Sequence, residues 1–425
     1  MNSRNYFLLL LLFCSSIVYG YYLKNHSAVF YADFKSFYYA GKLISDSDKN
    51  IYNKNDLMNK QNGIENFLPK FQSQFQRDIL ENSGIQAEFF DPNIVYPYLY
   101  PPVLASLMYF FSKTEIETAI IIWKSLSFFL FLFSIYIIYI KSNGSILKSM
   151  FLLCLFIPSF IENQENSQIN QFISFFILFS FFDEEKNDLL SGSLLAFATL
   201  IKMSPALLII PFILSLRKKF LISFVTTSIV LILVSILIGG MKVWFQFFEF
   251  LPNLAKNDMV MVGLVTAEIF GNLSLYSAVF RLMPYQSNLI LPMYYIISFL
   301  LFSFVVFRFF KEEKEIRLIR MLCRVSYLTV LLSPMTWFAH IVILLPSMYI
   351  ATNVEINFSW KTKLVFLIQS ITILPVYLIS RTLLIGTSQD WRYHAIVNSI
   401  HTLFLITCLF GISFWKEKRA LEQAR

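Results

Sequence analysis

Residues 125–140 and 221–238 contain no charged side chain. Runs of this kind decide what the chain can become. A helix rises about 1.5 Å per residue, so about 20 apolar residues cross the hydrocarbon of a bilayer with every backbone hydrogen bond made internally. Similar runs recur along the whole chain. Charged residues are 15% of the 425, against roughly 25% in a soluble chain, while 56% are hydrophobic and Phe alone occurs 47 times. The fold class expected is an all-α polytopic membrane bundle of about 12 spans.

The spans are predicted at residues 6–22, 116–140 and 147–161, a fourth ending at 182, then 189–201, 204–216, 220–238, 290–310, 321–332, 341–351, 364–385 and 396–414. Residues 1–20 have the outline of a secretory signal but are read as an uncleaved first helix. One integral membrane domain is expected over 1–425. Its features are an outer first loop at 23–98, a helix at 99–115 lying in the membrane surface, and a second outer loop at 239–289. Prolines 101 and 102 suit a helix start, and the tyrosines beside them suit the interface.

The net charge of +8 belongs to membrane anchoring and does not imply a nucleic-acid partner. With the N-terminus inside, Lys141 and Lys148, Arg217-Lys218-Lys219, residues 311–320, Lys361 and Lys363, and the basic tail all fall on the cytoplasmic side, as the positive-inside rule requires. Both termini are then cytoplasmic and both long loops face out. Cys14, Cys154, Cys323 and Cys408 are scattered through apolar runs and read as small core residues. Asp46-Ser47-Asp48 sits in a turn-like polar cluster and reads as solvated surface. No metal and no cofactor is expected.

In this orientation the polar clusters collect at the outer ends of spans. They are the stretch around Asp33, residues 96–102, 163–170, 202–205, 271–281 and 333–340. Polar groups near membrane depth are costly and usually functional. Lys202 either snorkels to the interface or holds an anion. Gln168 and Asn170 either satisfy span ends or bond sugar hydroxyls. Arg281 is an anchor or a phosphate ligand, and His340 a structural residue or a phosphate and acceptor contact.

Several of these clusters follow the order of a known motif set. Asp33-Phe34 with Tyr38-Tyr39-Ala40-Gly41 and Ile51-Tyr52 resembles the opening of glycosyltransferase family 87. Tyr100-Pro101-Pro102 is similar to its Tyr-Pro-Pro, and Gln168-Ile169-Asn170 to its Gly-Gln-x-Asn, with Ser167 where that motif has Gly. Lys202-Met203-Ser204-Pro205 is similar to Lys-x-x-Pro. Gly271-Asn272-Leu273-Ser274-Leu275 with Arg281 is similar to Gly-Asn-Gln-Ser-Leu and Arg. Ser333-Pro334-Met335-Thr336-Trp337 with His340 and Pro346 is similar to Ser-Pro-x-Ser-Trp, His and Pro. Leu273 replaces a Gln, and Phe338-Ala339 replaces polar residues beside the His.

The resemblance implies a GT-C fold and a mannosyltransferase that uses a polyprenyl-phosphate sugar. The catalytic base of such enzymes lies in the first outer loop, where Asp33 is the matching residue. Lys202, Arg281 and His340 would then serve the donor phosphate, with His340 also at the reacting groups. Tyr38, Tyr100, Gln168, Asn170, Asn272 and Trp337 would contact sugar or acceptor. The expected partners are the polyprenyl-phosphate sugar donor, a lipid-linked or glycan acceptor and membrane lipids, at the outer face of a cell inner membrane. Two other readings fit a polytopic chain: a lipid or solute transporter or flippase, and a surface polysaccharide polymerase or ligase. Transporters often carry internal repeats and polar groups on a path to both faces. No repeat between halves is evident here.

Overall fold

A computed structural model describes residues 20, 32–46, 48–52, 98–141, 146–182, 187–255, 273–282, 287–333, 336, 338–353, 356–357, 402–403, 405–406, 409 and 416–417. The described chain is all-α apart from one two-residue antiparallel pairing, β1 (Ile356–Asn357) with β2 (Lys416–Glu417). The helices, in order, are α1 (Ala32–Leu43), α2 (Pro102–Phe111), α3 (Ile116–Lys141), α4 (Ile146–Asn166), α5 (Asn170–Phe182), α6 (Asp188–Ile201) and α7 (Ile210–Leu214). They continue with α8 (Lys218–Ala255), α9 (Leu275–Leu282), α10 (Ser287–Lys311), α11 (Lys314–Leu331) and α12 (Leu345–Asn353). Two 3₁₀ segments, Ser204–Ile209 and Phe338–Leu344, lead into α7 and α12.

Three described helices are long and apolar enough to cross a bilayer: Ile116–Lys141, Lys218–Pro252 and Leu289–Lys311. Others are apolar but shorter, among them Asn170–Phe181 and Asp188–Ile201. The most apolar part of Lys218–Pro252 is only 11% buried, and Ile222, Val225, Ile229, Leu233 and Leu237 stand exposed along the stretch. An apolar surface of that length needs lipid around it. The chain is a membrane protein.

Proline and glycine explain where the helices depart from the hydropathy pattern. The expected span at 204–216 is a 3₁₀ segment followed by one short helix. Pro205 lies at its start and Pro211 opens α7, and each removes a backbone donor from the ladder. The expected span at 341–351 likewise begins as 3₁₀, and Pro346 sits at the second position of α12. α4 runs on to Asn166, so most of the polar stretch after residue 161 is helix rather than link. α8 breaks at Gly240, where φ 74° and ψ 166° favour glycine, and resumes to Ala255 inside the expected outer loop 239–289. α9 lies in the same stretch. The expected first span and most of residues 53–97 and 358–415 lie outside the described residues.

The end of the bundle where α1 and α2 pack is built on aromatics. Trp123 of α3 stacks on Phe172 of α5, centroids 4.4 Å apart, and meets Phe34 and Phe37 of α1 and Phe111 of α2 at 5.8–6.1 Å. Its indole N–H donates to the Ser167 carbonyl at 3.0 Å. One buried tryptophan therefore fixes four helices and the turn after α4. α1 lies so close to α2 that a Cβ on Gly41 would stand 2.5 Å from the Met108 carbonyl carbon. That contact is why glycine ends the Tyr-Tyr-Ala-Gly run.

Candidate active site

Asp33 sits in the first turn of α1. Phe34, Phe37, Tyr39 and Ala40 on the same helix are buried, so the helix is packed and holds the carboxylate in place. Its side chain is hydrogen-bonded to that of Gln168 and lies close enough to Lys202 to feel its charge.

Gln168 and Asn170 flank the tight link between α4 and α5. The reversal is made by Ser167, whose φ of 54° lies in the left-handed region. Glycine adopts that region without steric cost and other residues do not, which is a physical reason for the Gly of the related motif. The link is held from both sides: Gln168 N–H donates to the Asn163 carbonyl at 2.9 Å, and Trp123 holds the Ser167 carbonyl.

Lys202 follows the end of α6 with extended backbone, φ −146° and ψ 125°. That break turns its side chain out of the helical course. Its ammonium donates to Asn170 Oδ1 at 2.6 Å and lies 5.9 Å from the centre of the Tyr100 ring. Asn170 Nδ2 in turn donates to Gln168 Oε1 at 2.5 Å. A lysine has only donors. Lys202 therefore fixes the Asn170 oxygen toward itself, which leaves the Asn170 NH₂ for Gln168 and the Gln168 NH₂ for Asp33. One directed chain of hydrogen bonds runs from ammonium through two amides to carboxylate.

Tyr100 is locked beside this chain. Its carbonyl accepts from the Tyr52 hydroxyl at 3.0 Å, and its ring meets Phe37 edge-on at 4.9 Å. Burial and the Asp33 charge push its hydroxyl well above its ordinary value, so it stays protonated. Burial pushes the Asp33 carboxyl up to about 6, against the pull of the Gln168 hydrogen bond and the Lys202 charge. Burial also brings Lys202 down to about 7, against the opposing effect of Asp33. Both groups titrate near neutrality, where a proton-transfer group is most useful.

The structure thus brings Asp33, Tyr100, Gln168, Asn170 and Lys202 together. Tyr38 is placed differently: its hydroxyl donates to the Thr114 carbonyl at 2.7 Å and ties α1 to the end of α2. His340 is buried in the 3₁₀ segment Phe338–Leu344. That segment is stapled to α4 and α5, because Asn163 Nδ2 donates to the Ala339 carbonyl at 2.6 Å, Val342 N–H to Ser159 Oγ at 2.8 Å, and Ser174 Oγ to the Val342 carbonyl at 2.7 Å. The α4–α5 hairpin therefore carries the amide pair and also braces the His340 segment. Arg281 lies on α9; its side chain, Asn272 and Trp337 lie outside what is described. The neighbouring residues join two of the motifs: Leu273 N–H donates to the Thr336 carbonyl at 2.6 Å.

Trp123 and Ser159 were not singled out from the sequence, because each lies within an apolar run and only the contacts reveal its role; Asn163 stood in the polar cluster 163–170 with no role of its own assigned. Among the described residues no group of three or more His, Cys, Asp or Glu is placed to hold a metal ion.

No curated protein and no solved structure matches the chain. A family model does, over residues 98–334, which is more than half of the 425. The match covers Tyr100, Gln168, Asn170 and Lys202 and stops short of Asp33 and His340 at its two ends. Asp33 is joined to the matched part by the hydrogen-bond chain itself. The chain belongs to glycosyltransferase family 87.

Proposed function

We propose that this glycosyltransferase moves a hexose, mannose being the favoured choice, from a polyprenyl-phosphate donor to a hydroxyl of a lipid-linked or envelope glycan. The observation that carries the reading is the directed chain from Lys202 through Asn170 and Gln168 to Asp33. It supplies a base and a cation at a fixed separation, with two amides setting the orientation of each.

The reaction is a single displacement. The acceptor hydroxyl gives its proton to the Asp33 carboxylate as its oxygen bonds to the anomeric carbon. The bond from that carbon to the phosphate oxygen breaks, and its electron pair leaves with the polyprenyl phosphate. Lys202 stabilises the negative charge that gathers there. Attack opposite the leaving group inverts the anomeric centre. Gln168 and Asn170 act mainly as positioning residues in this reading, since their amides are committed to the chain. Tyr100 supplies an aromatic wall against the sugar. His340, Arg281, Asn272 and Trp337 come from the segments joined through Leu273 and Thr336, and serve the donor phosphate and the acceptor. Tyr38 acts through packing. A lipid tail in the bilayer with its sugar at the surface suits a site at the outer end of the bundle, and we assign the reaction to the outer face of the inner membrane.

The direct test is incubation of the purified protein with labelled polyprenyl-phosphate mannose and a membrane lipid extract, with identification of the labelled product. Asp33→Asn should lower transfer by about 10²-fold or more, the usual contribution of a general base, while accumulating normally in membranes. Full transfer by that variant would remove Asp33 from the mechanism. Absence of any labelled product with the wild type would remove the donor.

A further inference from the structure

Gln171 is the second residue of α5 and is fully buried. Its side-chain oxygen and nitrogen both lack a hydrogen-bond partner among the described residues. Buried polar groups are nearly always paired, and an unpaired amide is costly to hold there. The amides beside it are spoken for: Gln168 and Asn170 bond each other, Asp33 and Lys202. Asn163 on α4 is half committed. Its Nδ2 donates to the Ser159 and Ala339 carbonyls at 2.9 and 2.6 Å, which fixes how the amide is turned. Its Oδ1 is buried with no partner among the described residues.

The contacts place the two residues at one level. Ser159 of α4 accepts from the Val342 N–H, and Ser174 of α5 donates to the Val342 carbonyl. These serines therefore flank the same point of the 3₁₀ segment. Asn163 lies one turn beyond Ser159, and Gln171 lies nearly one turn before Ser174. Because the two helices form a hairpin, both steps lead toward the link that presents Gln168 and Asn170. Helix side chains lean toward the N-terminus, which for Gln171 is also the direction of that link. The unpaired groups stand where the His340 segment meets the α4–α5 link.

Their chemistry selects the ligand. Together they offer one NH₂ donor and two carbonyl acceptors. Phosphate oxygens accept only, so phosphate would leave both carbonyls unpaired. A metal ion would leave the NH₂ unpaired. Hydroxyl groups donate and accept, and a sugar carries several on one rigid ring.

We propose that Gln171 binds a hydroxyl of the transferred hexose, with Asn163 Oδ1 accepting from a further hydroxyl, and that this pair sets which sugar is transferred. The inference rests on the donor reading above. It supplies the sugar contacts that Gln168 and Asn170, committed to each other, do not make.

The test compares full-length wild type with Gln171→Met in neutral detergent. Met keeps the length of the side chain and removes the amide. Without substrate, the variant should melt about 1–3 °C higher, because an unpaired buried amide is gone. A midpoint that is equal or lower, or a variant that no longer accumulates, makes the amide part of the fold and overturns the proposal. Transfer is then measured from polyprenyl-phosphate mannose and its 2-, 3-, 4- and 6-deoxy analogues. Wild type should discriminate against the analogue lacking the contacted hydroxyl by about tenfold in kcat/KM. Gln171→Met should transfer intact mannose about tenfold more slowly and lose discrimination against that analogue alone. An equal loss with every donor overturns the proposal, as does unchanged donor selectivity with a raised acceptor KM. A wild type that transfers none of these sugars removes the donor named above, and the melting comparison still decides for or against Gln171.

Discussion

Asp33 and Lys202 make one machine only while the first is an anion and the second a cation. Burial raises the Asp33 carboxyl to about 6 and lowers Lys202 to about 7. A base needs the deprotonated carboxyl, so activity fails as pH drops below about 6. The cation is lost as pH climbs above about 7. For the free enzyme, kcat/KM should therefore trace a narrow bell between these limbs. A bound donor phosphate favours the ammonium form, so the alkaline limb of kcat should lie higher than that of kcat/KM. A flat profile from pH 5 to 9 would exclude this pair from the rate-determining chemistry. Gln168→Leu removes the hydrogen bond that favours the Asp33 anion, and its acid limb should move up with donor KM little changed. A large rise in donor KM instead would make Gln168 a sugar contact. At Ser167 the left-handed backbone costs roughly 1–2 kcal/mol in a non-glycine residue. Ser167→Gly should raise the thermal midpoint in detergent with transfer retained.

Among the elements, the hairpin of α4 and α5 does the most. Its link presents Gln168 and Asn170, while Ser159, Asn163 and Ser174 brace the His340 segment. The packing of α1 on α2 matters equally, because α1 carries Asp33. Gly41→Ala places a methyl group 2.5 Å from backbone of α2, which must either strain or part the helices. Overpacking of this kind costs about 1–3 kcal/mol. The variant should melt earlier and lose transfer together, and an unaltered midpoint would show that α1 has room to shift. Much of this was readable beforehand. Charge-free stretches marked α3, α8 and α10, because lipid demands them, and Pro101-Pro102 marked the start of α2. What escaped has physical causes. Hydropathy does not distinguish α from 3₁₀ geometry, so the segments at Ser204 and Phe338 read as whole spans. Polar residues at 162–166 read as a link, although Asn163 and Gln164 are buried and bonded to Ala339 and Ser127. The convergence of Asp33 with Lys202 joins positions far apart in sequence, and only the motif order hinted at it.

At the scale of the molecule, α11 runs from the basic α10–α11 turn around Glu312 toward the segment that carries His340. Eighteen residues separate the Glu312 turn from the far end of α11, which at about 1.5 Å each is close to the roughly 30 Å of a hydrocarbon core. Tyr294 near the start of α10 donates to the Leu332 carbonyl at 2.9 Å, closing the hairpin at that far end, from which the chain runs to Thr336 and His340. The surplus of basic residues stands at the turn, where the positive-inside rule wants cytoplasm. Asp48 follows α1 and Lys314 opens α11, and both are exposed. In a background without the four native cysteines, Asp48→Cys should react with a membrane-impermeant thiol reagent in intact cells. Lys314→Cys should react only after permeabilisation. The same pattern should hold in vesicles of inverted orientation with the two positions exchanged. If Lys314→Cys labels from outside and Asp48→Cys does not, the transfer site faces the cytoplasm, and the donor must be one presented on that side.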